Sequence, residues 1–359
     1  MFDFIIIGGG IIGLLTAKEL QQAGASVAVV EKNSLGQQAT WAAGGILSPM
    51  RPWHYCDAVN AISSISQSVY QQLSNTLFTE TGIDPQWVLS GMLVLNGDDM
   101  SPAIDWCEQH NDSHEILSTE QLAIQFAHLR TIGEPTLLRP QVATIQPHKL
   151  LAALTHYLTN KGVTFFDVEA SHLLNTATAV SAVQLDNNTV KAGQYIICAG
   201  AWSSQLMPDG IEQPKISPVK GQMICFPPTD IPNLCMIMEG NRYIIPRQDG
   251  RIVVGSTREN TGFDASTTQA AFDELRDFAQ QLYPALEGIE PDAHWAGLRP
   301  SSPDSIPYIC RVSPFKNLSL NAGHYRNGIV TAPASAQLMV DILLDRPPQL
   351  DTTAYQLIR

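Results

Sequence analysis

The first thirty-one residues alternate apolar runs with a glycine turn in an order that predicts one βαβ unit. An apolar run over residues 2–7 predicts a buried strand, and the turn Gly8-Gly9-Gly10-Ile11-Ile12-Gly13 follows it directly. Residues 14–20 have the apolar spacing of a helix, and residues 27–30 form a second apolar run that ends at Glu31. This order of elements is typical of dinucleotide-binding proteins.

Each glycine of this turn has a separate role in the predicted unit. Gly8 makes the tight turn, Gly10 lets the backbone approach a pyrophosphate, and Gly13 lets the helix pack closely against the strand. The helix N-terminus offers free N–H groups and a partial positive charge to the phosphates. Glu31 closes the second strand, where its carboxylate is placed to accept hydrogen bonds from ribose hydroxyls and to repel a 2′-phosphate. The unit therefore favours a dinucleotide that lacks this phosphate.

Hydrophobic periodicity also predicts the remaining elements. Helices are predicted at 58–82, 146–160, 268–286 and 330–344, with two short helices in 101–129. Strands are predicted at 88–96, 162–167, 195–198 and 318–320, and a loop at 39–50. From 219 to 255, short alternating runs separated by turn residues predict an antiparallel sheet.

These patterns predict an α/β fold that combines a Rossmann-type nucleotide-binding domain with a discontinuous, mostly antiparallel α+β substrate domain. Parallel-sheet patterns occur at both ends and in the middle of the chain, and antiparallel patterns lie between them. The predicted nucleotide-binding domain comprises residues 1–86, 138–215 and 296–359. The predicted substrate domain comprises residues 87–137 and 216–295.

Charge and cysteine content narrow the class of protein. A net charge of −13 opposes binding to nucleic acids and to anionic membranes. The six cysteines show no CxxC spacing, and Asp3 and the glycines interrupt what would otherwise resemble a signal segment. We therefore expect a soluble cytoplasmic protein with reduced thiols. No histidine spacing is typical of a metal site and no serine lies in a nucleophile elbow, so we expect no metal.

Four motifs spread along the chain resemble those of the D-amino-acid oxidase family of flavoproteins, and in particular its glycine-oxidising branch from bacterial thiamine biosynthesis. The first is the glycine turn with Glu31, and the second is Trp41-Ala42-Ala43-Gly44-Gly45-Ile46-Leu47. The third is Trp295-Ala296-Gly297-Leu298-Arg299-Pro300, preceded by the segment 251–257. The fourth is Ala322-Gly323-His324-Tyr325-Arg326-Asn327-Gly328-Ile329, which leads into the last predicted helix.

The resemblance implies an enzyme that binds FAD. Related sarcosine oxidases attach flavin through a cysteine near the position of Gly297, so glycine at that position implies non-covalent FAD. The fourth motif opens a helix whose positive end stabilises negative charge on the flavin ring by about 0.3–1 kcal/mol when exposed and ~2 kcal/mol when partly buried. The implied cofactor-binding residues are Gly8, Gly10, Ile11, Ile12, Gly13, Glu31, Lys32, Ala39, Thr40, Gly44, Gly45, Ile46, Ser171, Gly200, His324, Tyr325, Arg326, Asn327, Gly328 and Ile329.

The resemblance also implies where a substrate carboxylate binds. Arg299 corresponds to the arginine that binds it in the family, and a planar guanidinium suits this role because it donates to both carboxylate oxygens at once. Tyr243 is expected to assist at the carboxylate, and Arg326 corresponds to a second arginine of the pocket. Ile46 is expected beside the substrate, in the loop that passes the flavin.

Two positions depart from the family pattern. Asn241 occupies a position where one relative has a histidine, and Arg258 occupies one where the branch tends to have an apolar residue near the substrate. Arg258 either lies at the rim, held by Glu259 and Asp264, or faces the flavin and binds a second acidic group of a larger substrate. We favour the rim position, and both departures put strict glycine specificity in doubt.

The activity implied by the resemblance is FAD-dependent oxidative deamination of glycine, with sarcosine or small D-amino acids as further substrates. An imine would form and hydrolyse to glyoxylate and ammonia, while O2 is reduced to H2O2. Three alternatives stay open: a dehydrogenase that passes electrons to a quinone or partner protein, a tRNA-modifying oxidoreductase domain, which the negative charge opposes, and a flavin-binding subunit without turnover. The implied partners are a small amino acid and O2, and the resemblance further implies a homo-oligomer.

Overall fold

The computed structural model describes residues 1–95, 100–130, 133, 135–186, 188–231 and 235–359. The strands in chain order are β1 Phe2–Ile7, β2 Val27–Glu31, β3 Val88–Leu89, β4 Met92–Leu95, β5 Glu115–Leu117, β6 Thr136–Arg139, β7 Ala143–Thr144, β8 Thr164–Asp167, β9 Ala170–Asn175, β10 Val180–Leu185, β11 Asn188–Val190, β12 Ala192–Ile197, β13 Ser217–Phe226, β14 Met236–Glu239, β15 Arg242–Pro246, β16 Ile252–Gly255, β17 Ala293–Ser301, β18 Tyr308–Arg311 and β19 Leu318–Ala322. The α-helices are α1 Ile11–Gln22, α2 Asp57–Thr81, α3 Met100–His110, α4 Thr119–Gln125, α5 Pro147–Asn160, α6 Gln269–Leu282 and α7 Gly328–Leu343.

The predicted βαβ unit is confirmed at the centre of a six-stranded sheet. The strand order is β18-β19-β12-β1-β2-β8, and the pairs formed by β1, β2, β8, β12 and β19 are parallel. Edge strand β18 alone runs antiparallel to its neighbour in this sheet. The carboxyl ends of β1, β2, β12 and β19 therefore meet along one edge, which is where doubly wound sheets bind their ligands.

Both faces of the six-stranded sheet are covered, as parallel strands require. Side chains alternate along β1, so Phe4 and Ile6 pack against α1, α2, α5 and α7 on one face. Ile5 and Ile7 pack on the other face against the three-stranded sheet β11-β10-β9. This small antiparallel sheet was not predicted, because its outer residues are exposed and only half of each strand contributes apolar residues to the core.

The predicted antiparallel sheet is an eight-stranded sheet with the order β17-β13-β16-β15-β14-β4-β6-β5, in which β14 and β4 are the parallel pair. Helix α6 covers one face through Leu275, Phe278 and Leu282. The other face carries Met223, Tyr243 and other residues that point away from α6. The predicted fold class is thus confirmed, and the free face of this sheet is positioned beside the carboxyl edge of the first.

The predicted elements are largely confirmed, with two differences in the segment 88–129. The strand predicted at 88–96 is two strands, β3 and β4, separated by Ser90 and Gly91, and Asn96 lies outside the described residues. Between α3 and α4, which confirm the two short helices, the chain forms β5 at the edge of the large sheet. A strand of three residues is too short to give a readable alternation.

The division into two domains stays a prediction, and the strands bear on two of its boundaries. The boundary at 138 falls inside β6, and the boundary at 296 falls inside β17. Both strands pair within the eight-stranded sheet, so that sheet extends to Arg139 and Ser301. Among the described helices, none has the combined length and apolar character that crossing a membrane requires.

Candidate active site

An elongated cavity connects the carboxyl edge of the six-stranded sheet with the free face of the eight-stranded sheet. Residues that end or follow β1, β2, β12 and β19 line the first part, and residues of β13, β15 and β17 line the second. The predicted residues that line it are Gly8, Gly10, Ile11, Ile12, Glu31, Lys32, Ala39, Thr40, Gly44, Gly45, Ile46, Ser171, Gly200, Tyr243, Arg299, His324, Tyr325, Arg326, Gly328 and Ile329. Gly13, Asn327 and Arg258 do not line it.

The glycine turn has the close packing that the sequence predicts. Gly8 has a φ of +116°, and a Cβ there would lie 2.3 Å from the carbonyl oxygen of Cys198. A Cβ on Gly13 would lie 2.0 Å from the carbonyl oxygen of Gly8. Gly13 therefore serves helix–strand packing and not the cavity wall. Gly10 differs, because a Cβ there would meet only Thr40 Oγ1, at 3.3 Å, and would point towards the cavity.

Glu31 is held in place by the main chain around it. Its Oε2 accepts a hydrogen bond from the N–H of Gly9 at 2.8 Å, and its Oε1 accepts one from the N–H of Asn33 at 3.2 Å. A carboxylate offers about four lone-pair positions, so acceptor capacity remains for hydroxyl groups in the cavity. This arrangement fits the predicted role at a ribose.

An aromatic residue that sequence reasoning did not assign to the site lies at the same end. Trp202 lines the cavity, and Lys32 Nζ lies 4.2 Å from the centroid of its ring. Phe263, from the loop after β16, packs against Trp202 with ring centroids 5.5 Å apart. The signal was the Ala199-Gly200-Ala201-Trp202 turn after a buried strand, but a lone tryptophan there is equally typical of a core residue.

The loop of the second motif packs against β17 and β15 with little free space. Gly45 has a φ of +73°, and a Cβ there would lie 2.0 Å from the carbonyl oxygen of Ile145. A Cβ on Gly297 would lie 2.5 Å from the Cβ of Ala42, so a larger residue at 297 would displace the loop. Trp295 Nε1 donates to the carbonyl of Ala42 at 3.1 Å. The loop is thus fixed along the cavity wall.

Arg247 also fixes this loop, and sequence reasoning gave it no role. Its Nη2 donates to the carbonyl of Gly44 at 2.7 Å, and its Nη1 donates to the carbonyl of Ile145 at 3.1 Å. Burial lowers the pKa of Arg247 to about 10, so the guanidinium stays charged at neutral pH. Only the tertiary structure brings it beside the loop, since the two segments are 203 residues apart in the chain.

Arg247→Met is expected to weaken binding of the FAD that the resemblance implies about tenfold and to lower the melting temperature. Two carbonyls would lose their donors, and each such loss costs about 1–3 kcal/mol when the group is buried. Titration of the apoprotein with FAD measures the change. Arg242→Met is the matched control, because Arg242 begins the strand that Arg247 follows, has a 42% exposed side chain and pairs with Glu274. Equal FAD affinity in wild type and Arg247→Met would contradict this role.

The turn before α7 is held by a buried, neutral histidine. His324 Nδ1 lies 2.9 Å from Thr331 Oγ1, and Nε2 lies 3.0 Å from Asn321 Oδ1. Burial lowers the pKa of His324 to about 3, so it carries no charge at neutral pH. Asn327 is buried behind this turn, where it precedes the first residue of α7. The N-terminus of α7 therefore faces the cavity without a competing side-chain charge from His324.

Arg299 is positioned by three acceptors. Its Nη1 donates to the carbonyls of Thr257 at 3.1 Å and Lys220 at 3.3 Å, and its Nη2 donates to Ser256 Oγ at 2.7 Å. The guanidinium lies over Gly221, where a Cβ would come within 2.0 Å of Nη2. Alternation along β17 places Gly297 and Arg299 on the same, cavity-lining face. These contacts fix the orientation of the Arg299 guanidinium in the absence of a ligand, and the guanidinium so oriented is called the preset fork below.

Tyr243 and Arg326 complete this end of the cavity. Tyr243 is buried and its hydroxyl donates to Met223 Sδ at 3.7 Å. Arg326 donates two hydrogen bonds to Asn241, from Nη1 to Oδ1 at 3.3 Å and from Nη2 to the main-chain carbonyl at 3.2 Å. Asn241, the first departure from the family pattern, therefore orients Arg326.

This end of the cavity is suited to an anion. Burial lowers the pKa of Arg299, and the like charge of Arg326 acts in the same direction. Across the described part of the chain, neither arginine forms an ion pair with a carboxylate. A bound carboxylate would supply the missing negative charge and would accept two hydrogen bonds from one guanidinium. In the same described residues, no cluster of three potential metal ligands occurs.

Arg258 does not belong to this group of cavity residues. Its side chain is exposed, and the expected partners Glu259 and Asp264 bind Lys220 instead, at 3.2 and 3.5 Å from Nζ. The prediction that these two carboxylates hold Arg258 was therefore wrong. A buried ammonium requires a counter-charge more than an exposed guanidinium does, which explains why Lys220 takes both acids.

Because Arg258 is exposed, Arg258→Met is expected to leave substrate preference unchanged. The ratio of kcat/KM for glycine to that for a dicarboxylic D-amino acid should agree in both proteins to within about twofold, as exposed substitutions rarely do more. A larger shift of this ratio towards glycine in the variant would contradict this prediction and would indicate that Arg258 contacts the substrate.

Comparison with known proteins identifies the class to which this cavity belongs. Residues 3–342 match the family described as FAD dependent oxidoreductase (DAO), and the chain belongs to this family. It is 38% identical to the glycine oxidase of Pseudomonas aeruginosa, with 98% of this chain and 97% of that protein covered. Identity to the glycine oxidase of Pseudomonas putida is also 38%, with the same coverage. The crystal structure of glycine oxidase from Geobacillus kaustophilus, 24% identical, shares the fold with a TM-score of 0.93 and covers 100% of this chain and 98% of that one.

The residues of the cavity fit FAD. The glycine turn and the first turn of α1 would hold the pyrophosphate, and Glu31 would hold the ribose. The loop at 44–46 and the turn before α7 would hold the flavin ring, because both line the cavity next to Gly297. Because Gly10 has no side chain, the cavity wall at this position leaves space for the cofactor that even a Cβ would reduce.

Proposed function

We propose that this protein oxidatively deaminates glycine in an FAD-dependent reaction with O2 as electron acceptor. The products would be hydrogen peroxide and an imine that hydrolyses to glyoxylate and ammonia. Sarcosine and small D-amino acids are proposed as further substrates. The observation that carries the proposal is the preset fork of Arg299 beside Tyr243, at the end of a dinucleotide cavity. The 38% identity to two glycine oxidases over 98% of the chain supports the choice of substrate.

Arg299 would bind the substrate carboxylate and thereby fix the position of the α-carbon. Hydrogen bonds to charged groups contribute about 1.5–3 kcal/mol each, so a two-pronged contact gives both affinity and orientation. Ile46, Met50 and Met223 line the same end and present apolar surface to the substrate. Such surface keeps water from the reacting carbon while the charged end is held.

No side chain at this end is required as a general base. His324 is neutral, and its two ring nitrogens are already engaged by Thr331 and Asn321. The substrate would therefore enter with its amine unprotonated. When bound, FAD supplies the acceptor for the hydride from the α-carbon and passes the electrons on to O2. The protein contributes position, charge balance and exclusion of water.

Oxygen uptake by the FAD-loaded protein tests this proposal. Glycine, sarcosine and D-alanine should each be supplied in turn, with glyoxylate and H2O2 measured in the glycine reaction. Glycine-dependent uptake with matching amounts of both products supports an oxidase. Flavin reduction by glycine without oxygen uptake would instead favour a dehydrogenase that uses a quinone or protein acceptor. Absence of both reactions would reject the proposal.

FAD is expected to be held without a covalent bond, because Gly297 offers no side chain for attachment and is packed against Ala42. Precipitation with acid should release all the yellow flavin into the supernatant. Flavin that stays in the washed pellet would contradict this prediction. A homo-oligomeric state and a cytoplasmic location also stay predictions, which gel filtration and cell fractionation can address.

A further inference from the structure

Glu259 lies behind the sheet that carries Arg299, yet its hydrogen bonds reach the segment that holds Arg299. Alternation along β13 puts Gly221 and Met223 on the cavity face. Lys220 and Gln222 therefore point to the opposite face, where they meet the loop before α6. Glu259 pairs with Lys220 through the main chain and joins this group.

Thr257 connects the two faces. On the cavity side its carbonyl accepts from Arg299 Nη1 at 3.1 Å. On the other side its Oγ1 donates to Glu259 Oε1 and accepts the N–H of Gln222 at 2.9 Å. The orientation of this one residue is therefore set by groups that do not touch the cavity, and it supplies one of the three acceptors of Arg299.

Glu259 uses both carboxylate oxygens in this network. Oε1 accepts from Thr257 and from Gln222 Nε2, the latter at 2.8 Å, and Oε2 lies 3.2 Å from Lys220 Nζ. Burial opposes ionisation, but the hydrogen bonds and the charge of Lys220 lower the pKa of Glu259 below its usual value. The side chain of Lys220 is only 2% exposed, so its charge requires this partner.

The rest of the network is anchored in secondary structure. Gln222 Oε1 accepts from the N–H of Thr268 at 2.8 Å and lies 3.0 Å from His294 Nε2. Thr268 is the N-terminal cap of α6, since its side chain accepts from the N–H of Ala271. The position of Glu259 is thus tied to a helix and to β17, and it passes this constraint to Thr257.

We propose that Glu259 is a positioning residue that, through Thr257, orients Arg299 to receive a small carboxylate. This rests on the proposed function of Arg299 in binding the substrate. Without the carboxylate of Glu259, the segment 256–259 can turn and rotate the fork out of line with a ligand. Misplacement of a binding group by a small distance is sufficient to weaken recognition severely.

Glu259→Gln and Thr257→Val test the proposal, with the two-carbon carboxylate glycolate as probe and flavin absorbance as readout. An amide at 259 cannot accept from Thr257 and from Lys220 at once, so the dissociation constant for glycolate should rise about tenfold. Thr257→Val should do the same while leaving the Lys220–Glu259 pair intact. The double variant should bind no more weakly than the weaker single variant, because both changes break one connection. In turnover, KM should rise far more than kcat falls.

Asp264→Asn is the matched control. Asp264 is the second carboxylate beside Lys220, its side chain is 51% exposed, and its Oδ1 accepts the N–H of Ser266. Glycolate binding should match wild type in this variant. Unchanged binding in Glu259→Gln and Thr257→Val would overturn the proposal, and so would equal weakening by Asp264→Asn. If Glu259→Gln does not fold, Thr257→Val decides. Glycolate binding with no glycine oxidation in wild type would reject the proposed function alone.

Discussion

Arg299→Lys is expected to raise the apparent KM for glycine by roughly tenfold to a hundredfold. Lysine keeps the charge but offers a single ammonium, so one of two hydrogen bonds to the carboxylate is lost, at about 1.5–3 kcal/mol. The contacts that preset the guanidinium, with Thr257, Lys220 and Ser256, are lost as well. Steady-state kinetics with glycine measures the effect, and melting of the FAD-loaded variant separates it from loss of fold.

Arg251→Lys serves as the control for this substitution. Arg251 pairs with Asp292 at the surface, where both side chains are about two-fifths exposed, so an exchange of cation there should leave KM unchanged. If Arg299→Lys kept the wild-type KM, the carboxylate would be bound elsewhere, and Arg326 is the alternative arginine that lines the cavity.

Gly10→Ala is expected to reduce the affinity for FAD about a hundredfold without unfolding the protein. Gly10 has a φ of −76°, which alanine adopts without strain, and the added methyl group meets only Thr40 Oγ1. The methyl group would stand where the backbone approaches the pyrophosphate. Titration of the apoprotein with FAD gives the affinity, and circular dichroism of the same apoprotein shows whether the fold is kept.

Gly13→Ala provides the contrast. A Cβ at 13 collides with the carbonyl oxygen of Gly8 at 2.0 Å, so this variant should lose stability in the apoprotein as well. Wild-type FAD affinity in Gly10→Ala would show that the pyrophosphate does not pass this glycine, and the placement of the cofactor along α1 would be wrong.

Local patterns were sufficient where one short segment carries the whole signal. The βαβ unit from β1 to β2 is contiguous, so its glycines, its helix and Glu31 were predicted in their observed places. The helices with strong periodicity, α2, α5 and α7, were predicted to within about two residues for the same reason. The assignment of Arg299 came from the family resemblance, and the structure places it where three acceptors hold its fork.

Contacts between distant segments could not be predicted. Arg247 contacts Gly44 across 203 residues, and nothing in the sequence beside either residue indicates the pairing. Glu259 was expected to form an ion pair with its neighbour Arg258. The strand register places Lys220 opposite Glu259, and the carboxylate therefore pairs with Lys220. Sheet β9–β11 lacks the continuous apolar runs of the central strands, because one of its faces is exposed. Each of these depends on register and burial, which only the folded chain defines.

Anaerobic addition of glycine to the FAD-loaded protein tests the central claim most directly. The account predicts that the flavin loses its yellow colour as glycine is oxidised, that one glyoxylate forms per flavin, and that oxygen restores the colour with release of H2O2. Arg299→Lys should require a much higher glycine concentration for the same loss of colour. Flavin that stays yellow at saturating glycine, in a preparation that binds FAD fully, would contradict the account.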